Sequence, residues 1–437
     1  MSVRYISDRT TTFYKAATGS SRLGYIIFGD ELEKTGNAVG NRTPIEFRGR
    51  DGFVVTDDLT TEAALEYYAI DVGQGDATFI VTPNRTNILI DGGMNKRALG
   101  FLIWKYRLDI PANTVDIDLM VLTHADADHL NGLTAIVEHP QINVHKIVHN
   151  GIAVFGASGA AKLGGLTPDG ERLQVHYDTL ADLQALNKLS SSMVKWRDAV
   201  AAEGASYNAV DTSTGFIDCG DPAIQIETLG PRLEADGKFH WFGDTAHTIN
   251  GHSVVLRLDY GDVAILLSGD LNVEGAENLM SDPATTLRMS AHLFKSPHHG
   301  SHEFDMAFLE AVRPQISTIS SGDTLDHGHP RAVFLGALGL ASRSTAPLIF
   351  STEIAATFVG DGETADPIDG AAIDGLDFST STGNETARKR FKLLLPGIIN
   401  VRTDGTNLYA HRRVNTGYQW ESYGPIAPAP RPSIFTP

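Results

Sequence analysis

The chain has 437 residues, 42% hydrophobic and 20% charged, enough for one large core with additions and too apolar for wholesale disorder. A single cysteine, Cys219, excludes an internal disulfide framework and a cysteine-rich zinc module, so any metal must be held by carboxylates and by some of the 16 histidines. The formal net charge of -18 disfavours nonspecific adhesion to nucleic acid or anionic membrane, although bound divalent ions can reverse the sign locally.

No stretch reaches the roughly 18 apolar residues that span a bilayer, and Met1-Ser2-Val3-Arg4-Tyr5 has no apolar signal core. The expectation is a cytoplasmic protein with no membrane partner; no feature of the sequence fixes an oligomeric state. Residues 1–60 predict a small β module, with β-prone pieces at 3–6, 23–28, 45–47 and 52–55 separated by Gly, Asn and Asp. Ser20-Ser21-Arg22-Leu23-Gly24-Tyr25 and Phe47-Arg48-Gly49-Arg50-Asp51-Gly52-Phe53-Val54 resemble bacterial SH3-like domains, and an irregular β extension fits equally well.

A main domain at 61–350 follows, with an insertion expected at about 150–250. Strands are predicted at 68–72, 77–81, 87–91 and 116–123, and helices at 95–107 and 130–138. Leu186, Leu189, Met193, Trp196 and Val200 fall three and four apart, which predicts a helix whose apolar stripe packs on the core. Strands resume at 253–258 and 263–267 around Tyr260-Gly261-Asp262, then at 293–296 and 315–319. Residues 360–385, rich in Gly, Asp, Thr and Ser, predict a long exposed loop. Within 351–437 a β-hairpin at 398–411 turns at Asp404-Gly405, and the tail from Pro425 is Pro-rich. Arg388-Lys389-Arg390 with Lys392 reads first as a solvated face and second as a contact for an anionic substrate or partner.

The chemistry concentrates in His124-Ala125-Asp126-Ala127-Asp128-His129, just past a strand. Adjacent Asp128 and His129 cannot both face inward from a regular strand, so a loop or helix start is implied. Carboxylates clustered near a core repel one another, and desolvation penalises their charge; a cation resolves the conflict. Asp270, His298, His299 and His329 sit at later strand ends or in loops, in order along the chain, and are candidates to complete the site.

Taken together, Ile70-Asp71-Val72-Gly73-Gln74-Gly75-Asp76-Ala77, Ile88-Leu89-Ile90-Asp91-Gly92-Gly93, Leu122-Thr123-His124-Ala125-Asp126-Ala127-Asp128-His129, Ser253-Val254-Val255-Leu256-Arg257-Leu258, Leu266-Leu267-Ser268-Gly269-Asp270, Pro297-His298-His299-Gly300-Ser301 and Gly328-His329-Pro330 resemble the metallo-β-lactamase superfamily. Within it they look like the branch that contains the hydrolase domain of competence DNA-uptake proteins. The resemblance implies an α/β protein, an αββα sandwich carrying the N-terminal module and a C-terminal β-hairpin extension. It implies two divalent ions, Zn²⁺ or Mn²⁺. His124 and Asp126 would bind one, Asp128, His129 and His329 the other, with Asp270 bridging. One of His298 and His299 would complete the first ion's shell and the other would sit close by. Asp91 would brace the first motif loop, and Asp71 and Asp76 would set turns near the site. The commonest family pattern has His where this chain has Asp126, and the harder carboxylate favours Mn²⁺ tolerance. His247 and His252 do not match the spacing of the family's middle-motif histidine, which the His-His-Gly-Ser motif would replace.

The implied function is a metal-dependent hydrolase in which an acidified water, as a metal-bridging hydroxide, attacks carbon or phosphorus. Asp128 would orient that water or take its proton, and His298 or His299 would donate to the leaving oxygen. A phosphodiesterase or nuclease-like activity on a small-molecule or nucleic-acid phosphodiester is expected first. Hydrolysis of a lactone, thioester or lactam comes second, and a metal-free binding or scaffold protein third.

Overall fold

The computed structural model describes residues 2–322, 328–353 and 371–430. Two sheets face each other. One has nine strands, ordered Ser206–Ala209, Lys146–His149, Leu119–Leu122, Asn87–Ile90, Thr78–Val81, Leu65–Ala69, Ile399–Thr403, Leu408–Arg413 and Trp420–Ile426. The other has seven, ordered Phe216–Ile217, Gln225–Gly230, Val255–Tyr260, Val263–Leu267, Leu293–Lys295, Ile316–Ile319 and Leu348–Ser351. Each sheet is antiparallel along one part and parallel along the other.

Alternation along the strands builds the layers. Ile88, Ile90, Leu119 and Val121 meet Leu256, Leu258, Ile265 and Leu293 between the sheets. Leu89, Met120 and Leu122 face the helices Arg97–Tyr106, Ala127–Val137, Ser191–Glu203 and Ser381–Phe391. Val255, Ala264, Leu266 and Phe294 face Val273–Met280, Met306–Val312 and Ala332–Ala341. The result is the expected helix–sheet–sheet–helix sandwich, with strands buried on both faces and therefore apolar throughout.

The N-terminal residues form a seven-stranded sheet of their own around Ile6, Phe13, Ile26, Ile45, Phe47 and Val54. Arg402 ties it to the sandwich: its guanidinium, buried in strand Ile399–Thr403, meets Asp30 at 3.4 Å and Glu66 at 2.9 Å. The Trp420 indole N–H also donates to the Tyr25 carbonyl at 3.1 Å.

Several expectations are corrected. The predicted strand at 116–123 breaks at Asp118 into Val115–Ile117 and Leu119–Leu122, because the first piece pairs with Ile142–Val144 in a separate two-stranded sheet. Leu186 and Leu189 precede the helix whose stripe they are predicted to share: Ser190 caps it by accepting from the Met193 N–H, so it runs Ser191–Glu203. The expected loop at 360–385 lies outside the described residues up to 370; beyond that it contains the helix Ala371–Asp374 and the start of Ser381–Phe391. Thr380 caps the latter, and Phe378, Ala387 and Phe391 are buried, so few apolar residues suffice to dock it. The 150–250 segment adds an edge strand, Ser206–Ala209, to the nine-stranded sheet and the pair Phe216–Ile217 and Gln225–Gly230 to the other. Among the described residues no helix is long and apolar enough to cross a membrane.

Candidate metal centre

Four parallel strands end at one edge of the sandwich and deliver the candidate residues there. Asn87–Ile90 leads into Asp91, Leu119–Leu122 into His124, Val263–Leu267 into Asp270, and Leu293–Lys295 into His298 and His299. Crevices beyond the carboxyl ends of parallel strands are where open α/β sheets assemble sites. The helix Ala127–Val137 starts inside the motif with Asp126 at its N-cap, which lets the neighbours Asp128 and His129 both turn inward.

That helix presses tightly on the Asp91 loop. A Cβ on Gly132 would lie 1.8 Å from the Gly92 carbonyl oxygen, so only glycine permits the approach. Asp91 consequently reaches three donors: the Thr123 N–H at 2.8 Å, the Thr123 hydroxyl at 2.6 Å and His129 Nδ1 at 2.8 Å. Because the Thr123 hydroxyl donates to Asp91, it accepts from His124 Nδ1 at 3.0 Å. His299 Nδ1 faces the Ser320 carbonyl at 3.1 Å, which can only accept. In all three rings the Nδ1 proton is thus spoken for, and the neutral imidazole carries its lone pair at Nε2.

Those three Nε2 atoms, of His124, His129 and His299, are buried and make no hydrogen bond among the described residues. They converge on carboxylates. Asp270 Oδ2 lies 3.3 Å from His129 Nε2 and 3.0 Å from His299 Nε2, and Asp128 Oδ2 lies 3.4 Å from His299 Nε2. Ligand atoms of His124, His129 and Asp270 fall within 4.8 Å of one another, as do those of Asp128, His129 and His299. Asp126 is more open, its carboxylate 3.9 Å from His124 Nε2. Buried lone pairs and carboxylates left facing each other are the donor set of a divalent cation, and the residues fit one.

Electrostatics agree. Burial alone would lower the pKa of His129, but Asp270 and Asp91 raise it well above its ordinary value; for His299, Asp270 and Asp128 likewise outweigh burial. Burial alone would raise Asp270 and Asp128, yet both are held low by the neighbouring histidines, Asp270 well below the usual range. His124, buried and beside His129, is lowered. The carboxylates and imidazoles thus compensate one another at the positions a metal would claim.

The remaining candidates are placed differently. His298 and His299 both adopt left-handed backbone, φ 47° and 52°, and this turn sends the two rings apart. His299 joins the cluster; His298 Nε2 lies 3.5 Å from Asn250 Nδ2, and its ring is 6.1 Å from that of His329. His329 stacks 6.3 Å from His299 and belongs to none of the close ligand groups among the described residues. His252 is packed between Phe239 and Phe242, donates Nε2–H to the His240 carbonyl at 2.8 Å, and is lowered to about 4 by burial. His247 pairs with Glu274 at 2.7 Å.

Sequence reasoning missed Lys295. It ends a buried strand, where a lone lysine is anomalous. Its ammonium forms a buried ion pair with Asp76 and donates to the Gly269 carbonyl at 3.0 Å, next to Asp270. Burial lowers its pKa well below the ordinary value. Asp76 in turn lies 3.4 Å from His299 Nδ1, so it does more than shape a turn.

A family model described as the metallo-beta-lactamase superfamily matches residues 70–323, more than half of the chain. The chain belongs to the metallo-β-lactamase superfamily. Among curated proteins it is 25% identical over 279 residues to the ComE operon protein 3 of Bacillus subtilis (strain 168), covering 60% of this chain and 29% of that protein. It is 37% identical over 82 residues to the competence protein ComA of Neisseria gonorrhoeae, covering 18% of this chain and 12% of that protein. The chain therefore spans less than a third of either relative. A solved metallo-beta-lactamase from Cronobacter sakazakii, a HARLDQ-motif mutant, matches 52% of this chain and 75% of its own at 13% identity and a TM-score of 0.27. Membership of the superfamily implies a hydrolase that works with divalent metal ions, and the His/Asp groups at the sheet edge fit that chemistry.

Proposed function

We propose that the chain is a metal-dependent phosphodiesterase, with nucleic-acid phosphodiesters among its substrates. The observation that carries the reading is the convergence of three buried, unbonded histidine Nε2 atoms on Asp128 and Asp270. His124, Asp126 and Asp270 would hold one cation; Asp128, His129 and His299 would hold a second, with Asp270 shared. Divalent ions bound there supply Lewis acidity and acidify a ligated water.

The chain's own residues do the rest. Asp91 keeps the Nδ1 proton of His129 and so keeps its Nε2 available. The Ser253 hydroxyl accepts from the Asp270 N–H at 3.1 Å and fixes that carboxylate in place. Lys295, paired with Asp76 and 4.0 Å from Asp270, fixes the position of these carboxylates behind the site. His298, outside the ligand groups and partly exposed, is the group suited to protonate a leaving oxygen. Three carboxylates among the six candidate ligands suit a hard cation, which in turn takes oxygen donors such as those of a phosphodiester. The similarity to proteins named for competence supports a nucleic-acid substrate.

The test is hydrolysis of bis(p-nitrophenyl) phosphate, nitrocefin and a panel of lactones and thioesters by protein loaded with Zn²⁺ or Mn²⁺. Phosphodiester cleavage that disappears in Asp128→Ala is expected. Cleavage of the carbon electrophiles alone overturns the phosphodiester reading and leaves a lactone or thioester hydrolase.

A further inference from the structure

A cavity of about 380 Å³ lies at the other end of the helix Arg97–Tyr106 from the metal centre. The helix begins beside the Asp91 loop, where the Asn95 side chain receives the Arg97 N–H and donates to the Val72 carbonyl. Ten residues of helix put its far end about 15 Å away. There Arg48 and Arg50 of the N-terminal sheet meet Arg107, Arg388 and Lys392, and Arg413 of the C-terminal hairpin closes the wall. Among the described residues no aspartate or glutamate lines the cavity. In a chain of net charge -18, so dense a group of cations around one hollow is not a composition effect.

Some of these charges are matched from behind. Arg107 and Arg388 share Asp109 at 2.9 and 2.8 Å, and Arg48 lies 3.9 Å from Asp30. Arg50, Lys392 and Arg413 have no carboxylate within 4.0 Å among the described residues. Aromatic rings hold the guanidinium groups in place. Arg48 sits 4.3 Å over Trp104, and Arg413 lies 5.3 Å from Tyr418 and 4.7 Å from Trp420. Stacking occupies the faces of a guanidinium and leaves its N–H edges for an oxyanion. Burial first, then the neighbouring Arg388, Arg107, Arg413 and Arg50, lower the pKa of Lys392, and burial with Arg48 lowers Arg413 to about 10. The cations crowd one another, and Asp109 and Asp30 offset only part of their charge.

We propose that this cavity is a binding site for closely spaced phosphate groups, separate from the metal centre, taking either a free diphosphate-class small molecule or the backbone of a nucleic-acid strand. Several fixed guanidinium groups in a hollow of small-molecule size match a multiply charged, fork-binding oxyanion better than a single carboxylate. The site joins the N-terminal sheet, the helix Ser381–Phe391 and the C-terminal hairpin, so an occupant would clamp these three parts together.

The experiment is calorimetric titration of the metal-loaded full chain and its Arg50→Ala/Lys392→Ala variant with ADP, and separately with a single-stranded oligothymidylate. Both substituted side chains are exposed, so the fold is retained. Saturable binding that weakens about tenfold or more in the variant is expected, with affinity falling as salt rises and bis(p-nitrophenyl) phosphate hydrolysis unchanged. ADP binding lost in the variant identifies a free small phosphate as occupant; oligothymidylate binding lost in the variant identifies a strand. If no probe binds the wild type more tightly than the variant, the proposal is overturned. The unchanged hydrolysis separates that failure from any failure of the metal centre.

Discussion

Asp91→Asn isolates the part of the site that sets the histidine tautomers without removing a ligand. The substitution is isosteric, and asparagine tolerates the left-handed φ of 58° at this position, so the backbone has no reason to move. The carboxylate now takes three hydrogen bonds, at 2.6 to 2.8 Å, from Thr123 and His129. An amide has one acceptor oxygen. If it faces His129 and the Thr123 hydroxyl, its NH2 confronts the Thr123 N–H and leaves that buried donor unpaired, at a cost of about 1–3 kcal/mol. With no negative charge behind the His129 Nδ1 proton, Nε2 becomes a poorer donor. Losing such a supporting partner typically weakens metal affinity by about 10–100-fold, or about 1.4–2.8 kcal/mol. Competition against a chromophoric chelator reads the affinity, and urea unfolding of the metal-free protein reads the stability. Metal affinity within about twofold of wild type, alongside the expected loss of stability, would refute the tautomer argument and leave Asp91 as a loop brace alone.

Other consequences follow from the same geometry. His299→Ala should lose metal affinity by at least about tenfold, whereas His298→Ala should keep its metal and lose about a hundredfold or more in kcat; metal analysis with steady-state kinetics separates them. Gly132→Ala should destabilise by about 1–3 kcal/mol, because its Cβ would sit 1.8 Å from the Gly92 oxygen, and the urea midpoint checks this. Burial depresses His149 and His411 to about 3, so each is neutral in the fold and takes a proton on unfolding below its ordinary pKa. Stability should therefore be full above about pH 6.5 and fall by about 2 kcal/mol per histidine between pH 7 and 5. His411→Gln should flatten that slope in urea titrations, and an unchanged slope would show that this histidine is not the source.

Much of the site was legible because its residues sit at strand ends, where order along the chain translates into convergence in space. His124, Asp128, His129 and Asp270 needed only that rule. The choice between His298 and His299 needed a backbone angle: consecutive left-handed residues turn one ring into the cluster and the other away, and no spacing argument contains that. Lys295 was hidden inside an apolar strand, and its partner Asp76 read as a turn residue, since nothing in either segment names the other. The helix Ser381–Phe391 escaped because it docks through few apolar residues and its cap, Thr380, sits in a stretch that otherwise reads as loop. The basic cavity is assembled from residues more than 300 positions apart, from Arg48 to Arg413, which makes it a property of the fold alone.

The most direct test of the account is elemental analysis of the purified full chain after Zn²⁺ or Mn²⁺ loading and removal of free metal, for wild type and for His124→Ala/His299→Ala. About two ions per chain in the wild type, lost in the variant while circular dichroism stays native, is the predicted result. A folded wild type that retains no metal under either loading would contradict it.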